Sequence, residues 1–263
     1  MPIFRILSLF LILTILSPLT ALGGSKKIYN LCSVFHPGDA LIDWDCQKIN
    51  KGETPEELFG DRWLDVLRFN RIDRRHLTAG VSIKVPRDLA DIEEYTPLPD
   101  TYPKAALDEK FILVDLFEQF LGAYENGDLV FSFPIASGNR EHRTPTGYFR
   151  IDGFSCRHQS SLYKIEKSDT PYPMHYALRF FVNDQGVDFF LHGRDLPGFP
   201  ASHGCIGLYD EEMQRKFYGF PRQPQLKDAS TLYEWVVGER KDSGRFTWLK
   251  NGPRVRIIGE SLL

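Results

Sequence analysis

Hydrophobic and polar residues follow two different periods along the chain, and the change comes after residue 107. Between residues 44 and 86 the pattern predicts the order strand, helix, helix, strand, as in a small α+β module. Thr54 is the expected N-cap of the first helix, because Pro55 occupies the first helical position and Glu57 stands three residues after the cap. The helices and the closing strand are predicted at residues 55–59, 63–69 and 81–85.

Most of the remaining chain has the period of two that is typical of β-strands. Asn126-Gly127 between two apolar runs is a strong hairpin signal. Strands are predicted at residues 111–116, 119–124, 129–136, 148–151, 176–182, 187–191 and 255–258, and helices at 210–218 and 230–237. We therefore expect a mostly β domain with short helices over residues 108–263, after a module at 25–87 and a proline-containing linker at 88–107.

Residues 1–24 have the pattern of a secretory signal peptide. Arg5 precedes an apolar run at residues 6–16, and Ala21-Leu22-Gly23 provides the small residues that a signal peptidase accepts. The run is shorter than the roughly 20 residues that a membrane-spanning helix needs, although an uncleaved anchor stays an alternative. The net charge of −3 argues against a nucleic-acid partner. We expect an exported protein of the periplasm or cell wall, soluble after removal of the signal peptide.

The cysteines of an exported protein face an oxidising compartment, so their pairing has to be considered first. Cys32 and Cys46 are close in sequence, and both precede the β domain. We predict a disulfide between them, with two buried thiols as the alternative. Cys156 is expected to be an inert buried thiol, which leaves Cys205 available for chemistry.

Cys205 lies in a segment that contains the groups needed to activate a thiol: Leu191-His192-Gly193-Arg194, then Pro200-Ala201-Ser202-His203-Gly204-Cys205. A free thiol has a pKa of roughly 8.5, so a nucleophilic cysteine needs a histidine nearby. His203 is two residues away, and His192 ends a predicted strand that can lie alongside. Gly193 and Gly204 allow close backbone approach, and N–H groups near Cys205 can form an oxyanion hole. On spacing alone, a structural cysteine or a zinc site formed by His192, His203 and Cys205 stays open.

The module at residues 25–87 resembles a LysM module, a small unit that binds peptidoglycan. The resemblance rests on the order of its elements and on Gly52-Glu53-Thr54, Leu58, Leu67, Asn70, Leu77, Gly80, Ile83 and Pro86. It implies contact with peptidoglycan glycan. The alternative is a spacer that packs on the following domain and binds no ligand. Arg71, Arg74 and Arg75 are expected on a solvated face of this module.

The segment around Cys205 resembles the YkuD family of L,D-transpeptidases. The matching motifs are Ala136-Ser137-Gly138, Arg143-Thr144-Pro145-Thr146-Gly147-Tyr148-Phe149, Met174-His175-Tyr176-Ala177-Leu178, His192-Gly193 and Ser202-His203-Gly204-Cys205. The resemblance extends over residues 111–258 and implies a YkuD-type β-sandwich-like fold that uses no cofactor. One position departs from the pattern: the family usually has Arg two residues after the cysteine, where this chain has Gly207. Arg194 is our candidate for a replacement cation.

The same resemblance implies a mechanism on peptidoglycan stem peptides. Cys205 would form a thioester with the third residue of a stem tetrapeptide, release D-Ala, and pass the acyl group to an amine. His192 is implied as the base, oriented by the Gly193 carbonyl, while His203 and Gly204 shape the acyl site. The candidate substrate-binding residues are Ser202, Arg194, Tyr176 and Met174, although core packing is an alternative for the last two. The acceptor would be a second stem peptide, a lipoprotein or water; with water the protein would be an L,D-carboxypeptidase or an amidase.

Overall fold

The computed structural model describes residues 29–240 and 243–261, so the predicted signal peptide lies outside the described residues. The N-terminal module has the predicted order of elements: β1 (Trp44–Lys48), α1 (Pro55–Phe59), α2 (Trp63–Phe69) and β2 (Ser82–Pro86), with β1 and β2 paired antiparallel. The Thr54 side chain accepts a hydrogen bond from the Glu57 N–H, which confirms the predicted N-cap of α1. None of the helices in the described parts of the chain is long and apolar enough to cross a membrane.

The C-terminal domain contains two five-stranded sheets. Their strands are β3 (Phe111–Asp115), β4 (Phe120–Glu125), β5 (Asp128–Pro134), β6 (Gly147–Arg150), β7 (Gly153–Lys164), β8 (Pro171–Val182), β9 (Asp188–Arg194), β10 (Ile206–Tyr209), β11 (Thr247–Trp248) and β12 (Arg254–Ile258). The first sheet has the order β10-β9-β8-β7-β11, and the second has the order β5-β4-β3-β12-β6. Two helices, α3 (Glu211–Tyr218) and α4 (Asp228–Val237), complete the domain. The mostly β fold with short helices is confirmed.

The main hydrophobic core of this domain contains side chains from both sheets and from α4. Val114 and Leu121 of the second sheet belong to the same buried cluster as Leu178 and Leu191 of the first sheet. Val236 joins them from α4. Because apolar side chains of both sheets meet in one cluster, the sheets face each other as in a β-sandwich.

The hairpin of β7 and β8 is much longer than the strand beside it. Each arm has 12 residues, whereas β9 pairs with β8 only between Leu178 and Val182. The distal half of the hairpin therefore extends past β9 and projects from the first sheet. Residues 157–164 of β7 are mostly polar and exposed, which explains why the hydrophobic pattern did not predict this strand.

The N-terminal module and the β domain share a second hydrophobic core. Leu67, Phe69 and Ile72 pack in one buried cluster with Leu196 and Tyr209 of the β domain. The Tyr209 hydroxyl lies 2.9 Å from the Ile72 carbonyl oxygen and 3.1 Å from that of Leu67. The module is therefore packed as part of the same folded unit.

The arginines of the module were expected to be solvated, and this expectation is wrong. Arg71 is 1% exposed, and its guanidinium lies 2.7 Å from Asp39 and 3.6 Å from Glu118. Arg74 pairs with Glu211 at 2.6 Å, and Arg75 pairs with Asp195 at 2.7 Å. Each guanidinium reaches a carboxylate of the other domain, so ion pairs connect the module to the β domain. The sequence pattern could not show this, because their partners are distant in the chain.

A disulfide and the segment that follows the module complete the description of the N-terminal part of the chain. Cys32 and Cys46 are joined as a disulfide in the structure, whereas Cys156 and Cys205 are not disulfide-bonded. The segment at residues 88–107, predicted as a linker, lies against the second sheet: Leu98 belongs to a buried cluster with Phe111 and Phe120.

Candidate active site

Two adjacent parallel strands position the residues around Cys205. β9 and β10 pair with Leu191 opposite Ile206 and with His192 opposite Gly207. This register brings Cys205, the residue before β10, beside Phe190. The Phe190 N–H donates a hydrogen bond to the Cys205 sulfur at 3.4 Å. The pairing of β9 with β10 in the first sheet therefore brings Cys205 and His192 close together.

The His192 ring is held in one orientation and one tautomer by its own backbone. The ring is 3% exposed, and its Nδ1 lies 2.8 Å from the carbonyl oxygen of Gly193. A carbonyl oxygen can only accept, so Nδ1 carries the proton and Nε2 has a free lone pair. Burial lowers the pKa of His192 to about 3. The ring is therefore a neutral imidazole with Nε2 available as a base.

The Cys205 sulfur is a thiol in the resting protein. Burial raises the pKa of Cys205 to about 11, while the Phe190 N–H and the charge of Arg194 act in the opposite direction. A neutral thiol beside a neutral imidazole does not form a thiolate–imidazolium pair in advance. An arrangement of this kind suits general-base chemistry, in which a neutral imidazole accepts the thiol proton.

The loop before Cys205 is tied to the Ala136-Ser137-Gly138 and Thr144 segments. The Ser137 carbonyl accepts hydrogen bonds from the N–H groups of Ala201 and Ser202, at 3.1 and 2.9 Å. The Thr144 hydroxyl donates to the Gly204 carbonyl at 2.9 Å and accepts from the Gly138 N–H at 2.8 Å. These bonds fix the backbone that leads into Cys205, a role for Thr144 that was not predicted from the sequence.

Gly204 needs to be a glycine for two reasons. Its φ is +109°, a conformation that residues with a side chain rarely adopt. A Cβ atom at this position would also lie 2.5 Å from the Phe189 ring. The turn into Cys205 therefore depends on this glycine.

These groups open onto a cleft of about 1030 Å³. The predicted site residues that line it are Met174, His192, Arg194, Ser202, His203 and Cys205. The N-terminal module also reaches the cleft, through Arg75. A cleft of this size can take an extended peptide of several residues beside the thiol.

No group of three or more His, Cys, Asp or Glu side chains is arranged to hold a metal ion in residues 29–240 and 243–261. The zinc alternative, which needed His192, His203 and Cys205 as ligands, therefore gains no support from their arrangement.

Comparison with known families agrees with this geometry. The profile of the YkuD L,D-transpeptidase catalytic domain matches residues 109–256, which is more than half of the chain. The chain belongs to the YkuD family. None of the curated proteins matches it significantly.

Several solved L,D-transpeptidase structures resemble this YkuD chain at low identity. The enzyme from Xylanimonas cellulosilytica is 19% identical, with 81% of this chain and 98% of that chain covered and a TM-score of 0.45. The enzyme from Stackebrandtia nassauensis is 18% identical, with 78% and 69% covered and a TM-score of 0.41. For L,D-transpeptidase 1 of Mycobacterium tuberculosis the identity is 17%, with 57% of this chain covered and a TM-score of 0.36. The chain spans 62% of that mycobacterial protein, less than two thirds.

The β7–β8 hairpin covers one side of the YkuD cleft. Tyr163, near its tip, stacks on the His203 ring with centroids 4.2 Å apart. His203 is exposed and also packs against His142 at 4.6 Å. His158 of β7 lines the cleft and lies 4.6 Å from the Phe190 ring. Tyr163 and His158 were missed by the sequence analysis, since their polar strand carries no core pattern.

Tyr176 is the one candidate substrate-binding residue that the structure places away from the cleft. Its φ is +56°, which turns it out of the regular alternation of β8. Its ring lies 5.7 Å from Tyr233 of α4, and it lines a separate small cavity with Asp210. Its neighbour Met174 lines the cleft and packs with Phe190. The two residues were predicted together, but only Met174 reaches the thiol side of the sheet.

Proposed function

We propose that this protein is an L,D-transpeptidase of the cell envelope with Cys205 as its nucleophile. The observation that carries the proposal is the placement of His192 in one cleft with Cys205, on the adjacent strand, with its Nδ1 held by the Gly193 carbonyl so that Nε2 is left for a base. Family membership supports the same reaction class. Export through the predicted signal peptide belongs to this proposal, because the substrate lies outside the cytoplasm.

In the proposed reaction, the Cys205 sulfur attacks the carbonyl carbon of the third residue of a stem tetrapeptide. His192 Nε2 takes the thiol proton and returns it to the amine of the leaving D-Ala. Backbone N–H groups of Gly204 and Cys205 stabilise the oxyanion. The amine of an acceptor then attacks the thioester and loses its proton to His192, which passes that proton to the departing Cys205 sulfur, leaving a new amide bond and the free thiol.

The acceptor distinguishes three reactions on this scaffold. A second stem peptide gives a crosslink, a lipoprotein amine gives attachment, and water gives a tripeptide. We favour the transferase because the cleft has a volume of about 1030 Å³ and is lined both by Tyr163 near the hairpin tip and by Arg75 of the N-terminal module, as well as by Cys205.

Incubation of the purified protein with disaccharide-tetrapeptide, followed by mass spectrometry, tests the proposal. We expect release of D-Ala and dimers linked through the third residue. Cys205→Ala, which removes only the sulfur, should give neither product. Tripeptide without dimers would assign the protein as an L,D-carboxypeptidase, and an unchanged tetrapeptide would contradict the proposal.

We further propose that the N-terminal module contacts peptidoglycan glycan next to the cleft, as its resemblance to a LysM module implies. The shared core and the presence of Arg75 in the cleft support this position. Sedimentation of Cys205→Ala protein with purified sacculi and with glycan chains stripped of peptides tests it. Binding only to sacculi that retain stem peptides would assign the module as a spacer.

A further inference from the structure

Gly207 and Arg194 share one volume on the cleft side of the first sheet. Gly207 pairs with His192 in the β9–β10 ladder. A Cβ atom at position 207 would lie 2.5 Å from Cδ, 2.7 Å from Cβ and 3.0 Å from Cγ of Arg194. The aliphatic stem of Arg194 therefore fills the space above Gly207. A side chain at 207 and the observed Arg194 conformation exclude each other.

The Arg194 guanidinium has hydrogen-bonding capacity left for a ligand. Its Nη2 donates to the Ala201 carbonyl at 2.7 Å, and its buried Nε has no partner. No carboxylate in the described parts of the chain lies within ion-pair distance of it. Arg71 and Arg75, by comparison, are both paired with aspartates. Arg194 is thus an unpaired cation in a cleft that also contains Cys205 and His203.

The position of this charge is close to the reacting groups. Burial is the main cause of the lowered pKa of His192, and the positive charge of Arg194 lowers this pKa further. It also opposes the effect of burial on the pKa of Cys205. A cation whose charge acts on both groups can also attract a substrate anion next to the scissile bond.

We propose that Arg194, at the end of β9, binds the terminal carboxylate of the donor stem peptide. In this role Arg194 replaces a cation at position 207 of β10. The inference rests on the proposed function for the identity of the donor. The carboxylate of the leaving residue is three covalent bonds from the carbonyl that Cys205 attacks, nearer than any other carboxylate of the stem peptide. A guanidinium is the group best suited to bind a carboxylate through two parallel hydrogen bonds.

A pair of substrates tests the contact directly: the tetrapeptide with a free terminal carboxylate and the same peptide as a terminal amide. We expect wild type to prefer the carboxylate by about 10- to 100-fold in kcat/KM, as for hydrogen bonds to a charged group. Arg194→Met keeps a stem above Gly207 but removes the charge, so it should lose this preference. Arg75→Met is the matched control, because Arg75 lines the same cleft but is paired with Asp195, and it should keep the preference. Equal preference in wild type and Arg194→Met would overturn the proposal.

A reciprocal exchange tests the shared volume. The variant with Arg194→Gly and Gly207→Arg should regain at least part of the carboxylate preference, whereas Arg194→Gly alone should not. A folded double variant without the preference would contradict the claim that the two positions are alternative sites for one cation.

Binding to Cys205→Ala protein separates this inference from the proposed function. Calorimetry with both peptides should show tighter binding of the carboxylate, and adding Arg194→Met should abolish the difference. Carboxylate-dependent binding without turnover by wild type would overturn the proposed function alone. Binding of both peptides with equal affinity would overturn the role of Arg194 alone, and no binding of either would overturn both.

Discussion

The Nδ1 atom of His192 lies 2.8 Å from the carbonyl oxygen of Gly193, and this contact leaves Nε2 as the only basic atom of the ring. His203 differs, since its ring is exposed and stacks on Tyr163. We therefore expect His192→Gln to lower kcat/KM on the tetrapeptide by about 10²–10⁴-fold, the usual contribution of a positioned base. His203→Gln should cost much less. Steady-state kinetics of the two histidine variants, with Cys205→Ala as the inactive control, measures both losses. Equal losses in kcat/KM would show that His192 is not the base or that His203 has more than a minor role.

The protonation state of His192 can be observed without substrate. Burial lowers the pKa of His192 to about 3, so the ring should stay neutral as the pH falls through 6.5. His76 is an internal control, because its pKa is shifted in the opposite direction. Burial lowers the pKa of His76, but the Asp73 carboxylate 2.8 Å away has the larger effect and raises it.

Nitrogen NMR of histidine-labelled protein between pH 5 and 8 tests this pair. We expect the His192 signals to keep the neutral Nδ1–H pattern throughout, while at pH 6.5 His76 is mostly protonated. The His192→Gln and His76→Gln variants assign the signals. An imidazolium at His192 at pH 6.5 would contradict a neutral resting base.

The sequence predicted the parts of the fold in which local signals and burial agree. The bounds of α1 and α2 match the predicted 55–59 and 63–69, because Thr54 and Pro55 give a clear start and the apolar positions face a core. The hairpin at Asn126-Gly127 is present for the same local reason: both residues have positive φ. Such features depend on residues within one turn of each other.

The parts that could not be predicted depend on contacts distant in sequence or on the cleft itself. β10 has only four residues and includes Gly207, so it carries no strand pattern of its own. The distal half of β7 has no apolar face because it borders the cleft, and Tyr163 and His158 were missed with it. Arg71 is buried only because Asp39 and Glu118 converge on it from distant segments.

The Cys32–Cys46 disulfide should stabilise the module without taking part in the reaction. It closes a loop with a sequence separation of 14, for which the chain-entropy model gives about 3 kcal/mol. Neither cysteine lines the cleft. We expect Cys32→Ser with Cys46→Ser to lower the midpoint of urea unfolding and to leave kcat/KM of the folded protein unchanged. Reducing agent should destabilise wild type but not this variant. Peptide mapping that finds Cys32 and Cys46 unbridged would contradict the disulfide, and a bridge between Cys156 and Cys205 would contradict the nucleophile.

The buried charges around Arg71 should make the module and the β domain unfold together. Arg71 contacts Asp39 of the module at 2.7 Å and donates from Nε to the Glu118 carbonyl of the β domain at 3.0 Å. Lys84 also contacts Asp39. Removing the guanidinium leaves buried carboxylates under-compensated, so Arg71→Met should lower the free energy of unfolding by about 3–5 kcal/mol.

Arg87→Met is the matched control for this change. Arg87 belongs to the same module and pairs with Asp45, but both side chains are largely exposed, so solvent screens the pair. Urea unfolding followed by tryptophan fluorescence and by far-UV circular dichroism should give one coincident transition in wild type, shifted in Arg71→Met and unshifted in Arg87→Met. Two separate transitions in wild type, or equal shifts in the two variants, would show that the interface charges do not couple the module to the domain that contains Cys205.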